Sequence, residues 1–120
     1  MIKGTQRQIA WATDISKKYI KATKLFKETF NDPGSQFKPE DAEKVFPMID
    51  KAILKIENSE AVKIIDIHFD IDEIWNANAD MEHDAKHLGT GKVYHVPAMV
   101  FDIKNFQMAV ARATALINNF

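Results

Sequence analysis

SEAVKIIDIHFDID, residues 59–72, is the stretch that decides between an all-helical chain and one that carries a sheet. Ile65, Ile67, Phe69 and Ile71 alternate with Asp66, His68, Asp70 and Asp72, the period-two pattern of a half-buried strand. A helix also fits, because Ala61, Ile64, Ile65 and His68 then share a face. We expect a strand over 63–70, with the helix as the alternative. As a strand it would bring Asp66, His68 and Asp70 to one face, a cluster of oxygen and nitrogen ligands.

The next stretch, Asp72 to Gly91, reads as a helix of about four turns. It places Asp80, His83, Asp84 and His87 at i, i+3, i+4 and i+7 on one ridge, with Ile74, Met81, Ala85 and Leu88 opposite. Two imidazoles one turn apart, interleaved with carboxylates, form the helical half of a divalent-metal site. All four histidines, His68, His83, His87 and His95, fall within 28 residues. Zinc takes about four ligands, so His95, His68, Asp80 or Asp84 would complete the set. With no cysteine in the chain, such a site has mixed nitrogen and oxygen donors. Its expected role is structural, pinning the helix to a strand near His95. The same residues also make an ordinary solvated face, since a helix C-terminus favours histidine and Asp80–His83 and Asp84–His87 are normal side-chain neighbours. His83-Asp84-Ala85-Lys86-His87 differs by one residue from the HExxH motif of zinc proteases, but aspartate is a methylene shorter than the glutamate that motif uses as its base.

Beyond it, Gly89-Thr90-Gly91 ends the helix, 92–96 reads as a short strand, and Pro97 breaks it. Asp102 is expected to cap a last helix whose core stripe is Ile103, Phe106, Val110, Ala113 and Ile117. The weakly charged solvent side of that helix leaves room for a partner or a second subunit.

On the N-terminal side, Thr5 and Gln8 form a capping box. Trp11, Ile15, Tyr19, Ala22, Phe26 and Phe30 then make the buried stripe of a long helix, which Asn31-Asp32-Pro33-Gly34 stops. Lys17, Lys21 and Lys24 share its solvent side. They suit phosphate contacts with little base discrimination, and equally an ordinary hydrated face. A second helix starts at Pro39-Glu40-Asp41 and buries Ala42, Val45, Phe46, Ile49, Ile53 and Ile56. Pro47 predicts a kink in it, or two short helices. Trp11 and Trp75 are expected to be core anchors.

A chain of 120 residues, 46% hydrophobic and 28% charged, suits one globular domain. The absence of cysteine suits a reducing compartment, and neither a signal peptide nor a membrane span is legible, so a cytoplasmic protein is expected. The net charge of -1 conceals a division along the chain. Residues 1–30 are strongly basic, whereas 57–84 carry nine acids against Lys63 alone. We expect these two parts on different sides of the fold, although two segments that attract each other would look the same in sequence. No nucleophile elbow, phosphate loop or dinucleotide fingerprint is present, so an enzyme is not expected.

GTQRQIAWATDI, residues 4–15, resembles the opening of small, mostly uncharacterised proteins carried by phages and mobile elements of Gram-positive bacteria. Their pattern is approximately G-[ST]-x-[KR]-Q-[IV]-x-[WY]-A-x-x-[IL], matched here by Gly4, Thr5, Arg7, Gln8, Ile9, Trp11, Ala12 and Ile15. SEAVKIIDI at 59–67 is a weaker echo of a Ser-Ala-Lys-Trp-Trp-Ile-Asp segment in those proteins and lacks its aromatic pair. The resemblance implies a mobile-element setting and a mainly helical fold, favours helix at 59–67, and transfers no catalytic residue.

The expectation is a single-domain, mainly α fold with a minor β component: about four helices and a two-stranded sheet from 63–70 and 92–96. Small size, the mobile-element-like opening and the acidic segment resemble anti-CRISPR inhibitors, which often engage the nucleic-acid-binding surface of a host nuclease. Asp66, Asp70, Asp72 and Glu73 would then face the partner. The alternatives are a DNA-binding accessory factor acting through Lys17, Lys21 and Lys24, or a metal-dependent hydrolase needing His83, Asp84 and His87. Either a monomer or a homodimer fits.

Overall fold

A computed structural model describes the backbone of residues 1–32, 34–87 and 97–120, with side chains except at 84–87 and 97–101. Five α-helices span Gln6–Thr29 (α1), Ala42–Glu57 (α2), Ala61–Asp66 (α3), His68–His87 (α4) and Pro97–Asn118 (α5), and a 3-10 turn at Pro39–Asp41 leads into α2. They enclose one hydrophobic core in a single globule.

The α1 start is the expected capping box. Gln8 N–H donates to Thr5 Oγ1 at 3.2 Å, and Thr5 N–H donates to Gln8 Oε1 at 3.1 Å. Ile15, Tyr19, Ala22, Phe26 and Phe30 are buried as the stripe predicts, and Ala12 is buried beside them. Trp11 is the exception, with half its surface exposed. It lies at the rim of the stripe, a residue before Ala12, so about 100° of helical rotation carries it out of the core. Ahead of α1, Lys3 N–H donates to Ser59 O at 3.1 Å and Ala61 N–H to Lys3 O at 2.7 Å, tying the N-terminal segment to the head of α3.

The strand expected over 63–70 is a pair of helices instead. Ile64, Ile67, Ile71 and Ile74 are all buried, at spacings of 3, 4 and 3, which is the helical period. Ile65 is only half-buried and Phe69 is 71% exposed, so the alternating residues do not share a buried face. A bend at Ile67 (φ -103°, ψ 14°) separates α3 from α4. Among the described residues the one β-type pairing is the isolated Lys3–Glu60 bridge. The second expected strand, 92–96, lies outside the described residues, so the minor β component has no support among the described ones.

Three boundaries also move. α2 runs unbroken through Pro47, where a kink or a split was expected. Proline there removes one amide, that which would reach Glu43 O, while Ile49, Ala52 and Ile56 keep the buried face continuous. α4 opens at His68, four residues before Asp72. Pro97 begins α5 at the position where a missing amide costs nothing, so Asp102 lies inside that helix and does not cap it. The α5 stripe Ile103, Phe106, Val110, Ala113 and Ile117 is fully buried, as its period predicts.

Two polar contacts run through this core. The Tyr19 hydroxyl lies 2.7 Å from Thr114 Oγ1 and joins α1 to α5. Gln107, also fully buried, donates from Nε2 to Thr29 Oγ1 and Ser35 Oγ, both at 2.9 Å. Its Oε1 accepts from Gln36 N–H at 3.0 Å. One side chain of α5 thereby holds the α1–α2 connection, as a buried amide must find partners.

Candidate functional site

The bend at Ile67 brings an aromatic cluster to the surface where α1, α3 and α4 meet. Trp11 from α1 packs on His68 with ring centroids 5.3 Å apart, and His68 lies 4.0 Å from the Phe69 ring. His68 is held from below: its Nδ1 is 2.6 Å from Ile65 O at the end of α3. A carbonyl only accepts, so the proton of that bond sits on Nδ1. Trp11 and Phe69 are exposed to half and to 71%, an unusual amount of aromatic surface for helical positions without a covering partner. Neither was expected at the surface. Their signal was the mismatch between two periods: Phe69 fits the alternation and Trp11 fits the helical stripe, but neither keeps company with the residues that are buried.

Around this cluster the acidic residues divide. Asp72 faces Lys18 Nζ at 3.8 Å, and Glu73 lies 3.4 Å from Arg112. Asp66 and Asp70 carry no ion pair among the described residues. Asp70 sits in the first turn of α4, where the helix dipole favours a negative charge. Phe69, Glu73, Asn76, Asp80 and His83 then fall on one exposed ridge of α4, spaced by four, three, four and three.

The basic first helix and the acidic middle do not lie on different sides. Lys18 and Asp72 face each other across the α1–α4 seam, Trp75 Nε1 donates to Lys18 O at 3.2 Å, and Lys21 Nζ lies 5.8 Å from the Trp75 ring centroid. The division legible in the sequence is therefore partly internal attraction, worth little at such exposed positions. Lys17, Lys21 and Lys24 are exposed. Lys17, Lys18 and Lys21 line a shallow groove with Asp72 and Trp75. Trp75 is half-buried on that seam, short of the core anchor expected.

The candidate metal ligands are not gathered as one set. His68 and His83 are fifteen positions apart on the same helix, about 22 Å along its axis, so they cannot share an ion. The single-face cluster of Asp66, His68 and Asp70 is lost with the strand, because successive helical positions turn by about 100°. Asp80 and His83 are exposed on α4, as the helical spacing requires. Asp84 and His87 belong to α4 by backbone, their side chains lie outside the described set, and His95 lies outside the described residues. Among the described residues no three His, Asp or Glu side chains come together as a metal site.

No described helix is long and apolar enough to cross a membrane. No family model matches the chain, and no curated protein or solved structure shows significant similarity to it.

Proposed function

We propose that the chain is a small, non-enzymatic binding protein whose docking face is the Trp11–His68–Phe69 cluster with the acids beside it. The observation that carries this reading is the exposure of two large aromatic rings on a junction of three packed helices. Aromatic anchors that need no ordering on association dominate protein interfaces, and their apolar area is a cost in a face that stays in water. Asp66 and Asp70, without ion pairs among the described residues, and the exposed Asp80 and Glu82 along α4 set the sign of the partner. It is a protein with a cationic surface around an apolar recess.

A host nuclease of a CRISPR system has that chemistry, because its guide–target duplex lies in a positively charged channel. The resemblance of residues 4–15 to mobile-element proteins supports the same setting, and an acidic helical face would compete with nucleic acid for such a channel. The test is plasmid interference in a Gram-positive host with active CRISPR immunity, together with direct binding to its purified effector. Wild-type chain should relieve interference, and Asp66→Lys with Asp70→Lys, or Trp11→Ala with Phe69→Ala, should abolish the relief. Undiminished interference with the wild-type chain would remove this reading.

The groove that Lys17, Lys18 and Lys21 line with Trp75 supports a second reading, nucleic-acid binding through the α1 lysines. It requires salt-sensitive retardation of DNA that is lost when Lys17, Lys21 and Lys24 become alanine.

A further inference from the structure

The largest concavity among those described has no part in the docking face. It measures about 500 Å³ and lies where the N-terminal segment, the end of α2, the head of α3 and the last residue of α5's trailing turn converge. Lys3, Lys51, Lys55 and Lys63 all line it, and Glu60 is the one acidic side chain among its lining residues. These lysines come from three places in the chain, Lys51 and Lys55 being one turn apart on α2.

What distinguishes them is their convergence on one recess that holds a single acidic side chain. None of these four has an ion pair among the described residues. Lys55 Nζ donates to Asn118 O at 2.6 Å, a neutral acceptor that leaves its charge uncompensated. Like charges gathered around one recess repel, a cost that a bound anion removes. The other polar groups of the recess are already engaged. Asn58 Nδ2 donates to Leu54 O at 2.8 Å, its Oδ1 accepts from the Met1 amino group, and Ser59 Oγ donates to Lys55 O. Recognition here rests chiefly on the ammonium groups. An ammonium on a flexible stem acts as a point charge and sets no fixed pattern of hydrogen bonds, so such a site selects by charge.

We infer that this recess binds a small molecule carrying two or more phosphates. Several lysines against one glutamate leave an excess of positive charge that a single carboxylate would not balance. The recess lies at one end of the bundle, open to solvent, and is not a stripe along it, which suits a compact ligand better than a nucleic-acid strand. Leu54, 66% exposed, and Phe120 give one side an apolar wall for the organic part of the ligand.

Calorimetric titration of the full chain at low salt tests this, with tripolyphosphate, ATP, AMP and adenosine as probes. Tripolyphosphate and ATP should bind, AMP more weakly, and adenosine not at all. Lys51→Ala and Lys63→Ala, both at exposed positions, should each weaken tripolyphosphate by about fivefold. Glu60→Gln should tighten it, an effect that loss of folding cannot imitate. Three results would overturn the assignment: no binding of tripolyphosphate, binding insensitive to Lys51 and Lys63 but lost with Lys17→Ala and Lys21→Ala, or a single-stranded oligonucleotide that displaces tripolyphosphate at lower phosphate concentration.

Discussion

The Trp11 and His68 rings meet at 5.3 Å although one belongs to the second turn of α1 and the other opens α4. The contact exists because the bend at Ile67 swings the head of α4 toward α1, and His68 is locked there by its bond to Ile65 O. Phe69, next in the chain, is thereby left 71% exposed. Phe69→Ala should change stability by less than about 0.5 kcal/mol, as at most exposed positions. Partner binding should fall at least tenfold if this ring anchors the docking face. Thermal melting and a binding isotherm on the same preparation separate the two.

Tyr19 offers a pH-dependent test of the core. Burial pushes its hydroxyl up from the ordinary 10.0 to about 12, against the smaller opposing effect of the bond to Thr114. Between those values the folded chain keeps a proton that the unfolded chain releases, so stability falls as pH rises through that window. In Tyr19→Phe this part of the alkaline loss should vanish. At neutral pH the variant should cost about 1 kcal/mol, because Thr114 Oγ1, which itself donates to Val110 O, loses its donor. Urea melts at neutral and alkaline pH give both numbers.

Gln107→Leu should be more damaging. It leaves Gln36 N–H without its acceptor and takes away the donor shared by Thr29 and Ser35. The expected cost is about 2–3 kcal/mol, with faster amide exchange at Gln36 before global unfolding. Exchange at Gln36 that stays as slow as in the wild type would show that α5 does not hold this connection.

Gly4 has a φ of +155°, and a Cβ there would meet Gln8 Oε1 at 3.0 Å and Ala61 Cβ at 3.1 Å. Gln8 Oε1 is the atom that closes the capping box, so Gly4→Ala should loosen the start of α1 and its junction with α3 together. The loss should be about 1–2 kcal/mol. Denaturant melts read it, and an unchanged midpoint would mean that the segment shifts without strain.

How much was legible depends on whether one local pattern met competition. The α1 and α5 stripes and the Thr5–Gln8 box were readable because each rests on neighbours within a few turns and nothing else fits them. At 63–70 two periods coexist, since an isoleucine-rich run satisfies both, and only the burial of Ile64, Ile67, Ile71 and Ile74 selects the helix. Pro47 and Pro97 were weighed as breakers, yet one sits where a single lost bond is tolerated and the other where no bond is lost. The histidine spacing was legible along the chain, but the axial distance between His68 and His83 required knowing that α4 is one continuous helix from residue 68.

By itself the sequence determined the helical character, the faces of the two longest helices and the excess of acid in the middle of the chain. These are properties of residues within a few turns of one another, and hydrogen bonding within a helix makes them local. Only the tertiary structure decided which aromatic rings stay in water, that Lys18 meets Asp72, and that Lys3, Lys51, Lys55 and Lys63 surround one recess. Those outcomes depend on how the helices pack, and packing joins positions whose separation along the chain leaves no mark on either.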